Sequence, residues 1–209
     1  MKTTPLTRRS FLKRTALCGT ATAFPNLIPA RLLGADSAVT PNNRINVAMI
    51  GTGRQVFYAN LPWFLWSDDV QVVAVCDVDA WRMEQAKKKV EGNYANKAGF
   101  GSYKGCATHR DFREVLARKD VDAVMISTPD HWHACMAIAA AKAGKDIALE
   151  KPISLSVEQG RAIANAVKKN KVVCRTDTEV RSQRWFQQLC QVVRNRRIGE
   201  VKRVVVGVP

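Results

Sequence analysis

The 209 residues (23.2 kDa) correspond to one domain with an appendage, and 46% hydrophobic against 24% charged residues excludes a chain disordered throughout. No run approaches the roughly 20 apolar residues of a membrane span, which argues against an integral membrane protein. The net charge of +15 raises nucleic-acid binding, yet six of those charges fall in the first 35 residues, and the remainder carries 27 basic and 18 acidic residues. Its dense clusters, Lys87-Lys88-Lys89, Lys168-Lys169 and Arg194 to Arg197, sit near predicted helix ends, where cations complement the helix dipole. No nucleic-acid partner is expected.

At the N-terminus, Thr7-Arg8-Arg9-Ser10-Phe11-Leu12-Lys13 resembles the twin-arginine export signal. The apolar stretch from Thr15 to Leu33 is interrupted by Gly19, Pro25 and Pro29, so no stable membrane anchor is expected. Leu33-Gly34-Ala35 offers small residues for cleavage, and Leu17 before Cys18 fits a lipoprotein site poorly. Residues 1–35 are therefore read as a twin-arginine signal peptide and 36–43 as a linker. The expected location is periplasmic or otherwise exported, with the twin-arginine export machinery as a partner. That machinery carries folded proteins, often with a cofactor inside.

From Arg44 onward, short apolar runs alternate with helical patterns. Ile45 to Ile50 reads as a strand, Gln55 to Trp66 as a helix, Val70 to Cys76 as a strand and Ala80 to Val90 as a helix. A Gly-rich loop follows over Gly92 to Thr108, then a short helix over Arg110 to Arg118. Val121 to Ser127 is the next strand and Trp132 to Ala143 the next helix. Asp146 to Leu149, Val157 to Asn170 and Val172 to Arg175 continue as strand, helix and strand. Nearly continuous Val/Ile/Ala strands between helices predict an α/β fold, a doubly wound parallel sheet of Rossmann type with its crevice at the carboxyl ends of the strands. Val201 to Val208 reads as one further strand. Cys76, Cys106, Cys135, Cys174 and Cys190 are odd in number and form no CxxC pair, so neither a disulfide framework nor a zinc site is expected.

Three strand ends carry the chemistry. Gly51-Thr52-Gly53-Arg54-Gln55-Val56 lies where the first strand turns into the first helix. Gly51 suits a tight turn, Gly53 lets the backbone approach a pyrophosphate, and the helix N-terminus supplies amides. Val56 replaces the third glycine of the fingerprint. Asp77, 26 residues after Gly51, closes the second strand where an acid takes a ribose 2′-hydroxyl. This favours NAD over NADP, although Arg82 lies nearby. Ser127-Thr128-Pro129-Asp130-His131-Trp132-His133 opens a helix, with Asp130 placed to cap it and His133 in its first turn. No third ligand joins the two histidines, so no metal is expected. At Glu150-Lys151-Pro152 the proline removes a donor and leaves Lys151 directed out of the strand end. A lysine beside a nicotinamide can hold a substrate oxygen and stabilise its developing charge.

Taken with Ala143-Gly144-Lys145, these motifs resemble the glucose–fructose oxidoreductase, inositol dehydrogenase and rhizopine-catabolism (Gfo/Idh/MocA) family over about residues 44 to 208. The resemblance implies an NAD(P)-binding Rossmann domain over 44–176 and hydride transfer at a secondary alcohol carbon of a sugar or cyclitol. It also implies that Lys151 touches substrate and nicotinamide, that Glu150 orients Lys151, and that Ser127, Thr128, Pro129 and His133 line the cofactor cleft. Arg181, after Asp177-Thr178-Glu179, matches a family arginine less closely. In this family a second, open-sheet domain shapes the sugar pocket and carries the acid/base histidine, a role that neither His109 nor His131 can be assigned. Residues 177–209 are expected to begin that domain, so the sequence reads as truncated or as part of a longer chain. A homo-oligomer is expected only where that domain is present.

The activity expected is thus the NAD(P)-binding half of an exported sugar or polyol oxidoreductase. A glycosidase that transiently oxidises its sugar with bound NAD, also through Lys151, is the alternative on the same fold. A truncated, non-catalytic NAD-binding module is the third reading.

Overall fold

The computed structural model describes residues 43–98, 103–178, 181 and 183–207. The expected export signal and residues 36–42 of the expected linker lie outside the described residues. Arg44–Pro209 form one unit.

Among the described residues, the strands are β1 (Ile45–Ile50), β2 (Val70–Cys76), β3 (Ala107–His109), β4 (Ala123–Ile126), β5 (Asp146–Glu150) and β6 (Cys174–Asp177). They form one sheet in the order β3-β2-β1-β4-β5-β6, parallel throughout. The chain turns back on itself between β1 and β4, and at such a switch point the strand ends open a crevice. The doubly wound α/β fold predicted from the alternation is therefore the fold observed.

After β1 the chain passes through a π-helical segment, Val56–Asn60, directly into α1 (Leu61–Trp66). The remaining helices are α2 (Ala80–Ala98), α3 (Phe112–Ala117), α4 (Asp130–Lys142), α5 (Val157–Asn170) and α6 (Arg184–Arg194). Strand alternation, offset by one residue in β2 at the register shift opposite Val47 and Ala48, divides the core. Ala48, Ile50, Ala74 and Cys76 pack with residues of α3, α4 and α5, among them Val115, Ala137 and Ile163. Val47, Met49, Val72 and Val75 pack on the other face with Val56, Leu61, Leu65 and the α2 residues Ala86, Val90 and Tyr94.

Several elements differ from the sequence reading. Helix α2 runs on from Val90 to Ala98, through Gly92. A mid-helix glycine costs only about 1 kcal/mol, and Tyr94, one turn beyond Val90, is buried and accepts a hydrogen bond from Val72 N at 2.8 Å. The expected Gly-rich loop also contains the start of β3, whose three residues pair with Ala74 to Cys76. Strand β6 lies two residues later than expected and ends on Asp177 beside Glu150. Asp130 does not cap α4. Pro129 is the N-cap, no side-chain cap bond forms, and Asp130 is the first helical residue, where its charge complements the helix dipole. The strand expected from Val201 does not form over the described residues 201–207, where Val204, Val205 and Val206 are exposed. A strand needs a hydrogen-bonded neighbour, and none adjoins this segment among the described residues.

Gly144 and Lys145 have distinct tasks after α4. Gly144 adopts φ +72, and the Gly144 and Lys145 amides close the helix on Ala141 O and Ala140 O. The buried Lys145 Nζ donates to Arg118 O and Val121 O, each at 2.7 Å, which fixes the loop entering β4.

Candidate functional site

The crevice is built on the β1 turn. Gly51 sits at φ +84, and a Cβ there would lie 2.5 Å from Ser127 O. Its amide donates to Cys76 O at 2.8 Å, while Ser127 N donates to Ile50 O at 2.9 Å. Gly51 is thus wedged between the ends of β2 and β4. Gly53 is open by contrast, since a Cβ would meet only Arg82 Nη1 at 3.7 Å. Backbone bare on that side can approach a ligand closely.

Asp77 holds this turn from the end of β2. Its Oδ2 accepts from Thr52 N at 2.7 Å and Thr52 Oγ1 at 2.9 Å, and its Oδ1 accepts from Asp79 N at 2.9 Å. A carboxylate has about four acceptor positions, so Oδ1 retains capacity for a hydroxyl donor from the crevice. Cys76, immediately before it, has its thiol pushed up to about 12 by burial and by the neighbouring Asp77 charge. It is a protonated, unreactive wall residue.

The β4 and β5 ends meet through His133. This residue, 1% exposed, places Nδ1 2.6 Å from Pro152 O and Nε2 2.9 Å from Thr128 O. Carbonyl oxygens only accept, and a neutral imidazole carries one N–H, so the ring donates to one of the two at a time and packs against the other. The imidazole thereby ties the Thr128-Pro129 turn to the turn after β5. Glu150, 4% exposed, accepts from Gln55 Nε2 and Asn60 Nδ2 at Oε1, and from Lys151 N at Oε2, each at 3.1 Å. Lys151 is exposed at the mouth of the crevice and precedes a cis peptide to Pro152. Its hydrogen bond to Glu150 runs through the backbone amide.

These parts enclose a cleft of about 790 Å³, a size that suits a small-molecule cofactor. Gly51, Gly53, Arg54, Gln55, Asp77, Ser127, Thr128, Pro129, Asp130, His133, Glu150 and Lys151 all line it. Thr52 lies beside it, buried, and acts through Asp77. Arg54, Arg82, Arg110 and Arg113 lie around the glycine turn and the β3 end, with Arg82 paired to Asp79 and Arg113 to Asp111. The arrangement fits a dinucleotide: an open glycine backbone, an adjoining helix N-terminus and an acid at the end of the second strand.

Sequence reasoning missed Asn60, Arg110 and Met136. Asn60 had a signal, a polar residue on the apolar face of a helix. Arg110 follows a strand too short to recognise, and Met136 reads as ordinary core. Val56, which replaces the third fingerprint glycine, is buried in the core at the start of the π-helical segment. Arg181 is exposed, and Glu179 lies outside the described residues.

Comparison with known proteins agrees with this geometry. Residues 45–178 match the Gfo/Idh/MocA family, described as an oxidoreductase family with an NAD-binding Rossmann fold. A glycosyl hydrolase family 109 protein of Solibacter usitatus is 31% identical over 163 residues, 76% of this chain and 35% of that protein. A levoglucosan dehydrogenase of Pseudarthrobacter phenanthrenivorans is 34% identical over 134 residues, 62% of this chain and 32% of that protein. The chain thus spans about a third of the length of these relatives. Among solved structures, a 3-ketoreductase from Actinomadura kijaniata in complex with TDP-benzene and NADP superimposes with a TM-score of 0.67 at 21% identity, over 77% of this chain and 46% of that one. With the match covering most of the described sheet and its cleft, this chain belongs to the Gfo/Idh/MocA oxidoreductase family and carries its NAD(P)-binding Rossmann domain.

Proposed function

We propose that this chain supplies the NAD-binding part of an exported oxidoreductase that moves a hydride between nicotinamide and a secondary alcohol carbon of a sugar or cyclitol. The observation that carries this reading is the convergence of Gly53, Asp77 and Lys151 on one cleft at the switch point of the sheet. Levoglucosan dehydrogenase, a named relative, supports the substrate class, and the Arg8-Arg9 motif supports export.

When bound, the nicotinamide supplies the hydride acceptor or donor. The chain's own residues hold the rest in place. Gly51 makes the tight turn, and Gly53 leaves its backbone open toward the pyrophosphate, with Arg54 and Arg82 beside it. Asp77 Oδ1 receives a ribose hydroxyl, which favours NAD, because a 2′-phosphate there would face a carboxylate. Lys151 Nζ reaches from the β5 end to the substrate oxygen and stabilises negative charge as it develops. Glu150 anchors the Lys151 backbone through the amide bond already described.

Calorimetric titration of the chain with NAD tests this. Saturable binding is expected, weakened at least about tenfold by Asp77→Ala through loss of a charge-assisted hydrogen bond, with thermal unfolding followed in parallel. A folded chain that takes up no NAD overturns the reading.

The glycosyl hydrolase family 109 relative favours a second reading. In it the same cleft oxidises a sugar transiently, releases the aglycone and regains its starting redox state. Cleavage of a glycoside with no net NADH formed, in the protein that contains this domain, is the expected signature. Stoichiometric NADH formation from a free sugar instead identifies the dehydrogenase.

A further inference from the structure

Asn60 closes the π-helical segment and is 6% exposed. Its Nδ2 donates to Glu150 Oε1 at 3.1 Å and to Asp177 Oδ2 at 2.7 Å. Both amide hydrogens are thereby used, one on each carboxylate. Oδ1 is buried and has no hydrogen-bond partner. A buried acceptor left unpaired is unfavourable, so this side chain is retained for its two donors. The carboxylates it joins end neighbouring strands, in register as Glu150 and Asp177. Like charges so placed repel, and a neutral double donor between them offsets that repulsion.

Helix geometry points to the same residue. Val56, Asn60, Leu61 and Leu65 are all buried. In an α-helix Leu61 would stand about 140° around the axis from Val56, at about 100° per residue. The π turn, closed by Leu61 N donating to Val56 O, brings Leu61 onto the face of Val56, beside Asn60 one turn on from Val56. Such expanded turns recur at functional sites.

We propose that Asn60 is a positioning residue for the nicotinamide end of the cleft. It holds Glu150 against Asp177, and Glu150 in turn fixes the Lys151 backbone. The proposal rests on the reading of the cleft as an NAD site with Lys151 at the nicotinamide.

The full chain is titrated with NAD and with ADP-ribose, which lacks the nicotinamide. Asn60→Leu, close in size but without donors, is expected to weaken NAD about five- to tenfold while leaving ADP-ribose within about twofold, the scale of one hydrogen bond to a charged group. Asn60→Asp, isosteric and turning both bonds into repulsions, is expected to show the same split at least as strongly, and it carries the test if the leucine variant does not fold. Equal weakening of both ligands assigns Asn60 a merely structural role and overturns the proposal, as does an unchanged affinity for both. Wild-type chain that binds neither ligand overturns the cofactor reading, and the proposal falls with it.

Discussion

Gly51→Ala is expected to destabilise the chain by about 2 to 5 kcal/mol, the sum of a left-handed backbone penalty and overpacking. The added methyl would lie 2.5 Å from Ser127 O, and backbone at the end of the paired strand β4 cannot swing away as a flexible side chain does. Against a total stability of roughly 5–15 kcal/mol for a domain, that loss leaves a marginally folded chain. The urea midpoint measures it. Gly53→Ala is the internal comparison: its Cβ meets only the end of Arg82, so stability should hold within about 0.5 kcal/mol while NAD affinity falls. Equal midpoints for the two variants would remove the distinction between a glycine required by the fold and one required by the ligand.

The second large effect is expected at His133. His133→Phe preserves approximate volume and removes both ring nitrogens, leaving Thr128 O and Pro152 O without this partner. A loss of about 1 to 3 kcal/mol follows from leaving a buried carbonyl without its donor. The loosening should be local as well as global, because the imidazole ties the turn after β4 to the turn after β5. Amide hydrogen exchange near Thr128 and Lys151 is expected to accelerate before exchange in the β1 core does. His133→Gln, with a single amide group, should recover part of the loss. Unchanged exchange in the phenylalanine variant would show that the two turns are held by something other than this ring.

The parallel sheet was legible because its strands are long enough to bury both faces. Ile45–Ile50 and Val70–Cys76 follow directly from their apolar runs. The glycine turn and the acid at position 77 were legible for a related reason, since backbone chemistry at a strand-to-helix turn leaves few residue choices. Short and polar elements were not. Ala107–His109 is a strand only because the β2 edge beside it supplies partners. The extension of α2 past Gly92 depends on Tyr94 reaching β2. His133 could be placed near the cleft from its position in the chain, but its two carbonyl partners come from residues 5 and 19 positions away. The π segment escaped notice because its widened turn, which puts Leu61 on the face of Val56, departs from the 3.6-residue period by which helices are read.

The double engagement of Asp77 bears on how coenzyme preference could change in this chain. The carboxylate that would meet the ribose is also the acceptor for both the Thr52 amide and the Thr52 hydroxyl. A substitution that made room for a phosphorylated ribose would at the same stroke release the first loop of the fold. On the proposed reading of Asp77, preference and folding are inherited through one side chain. A switch toward the phosphorylated coenzyme is easier to reach by recruiting Arg82, which already overhangs Gly53, than by replacing the acid. If the acid were replaced, position 52 would have to change with it.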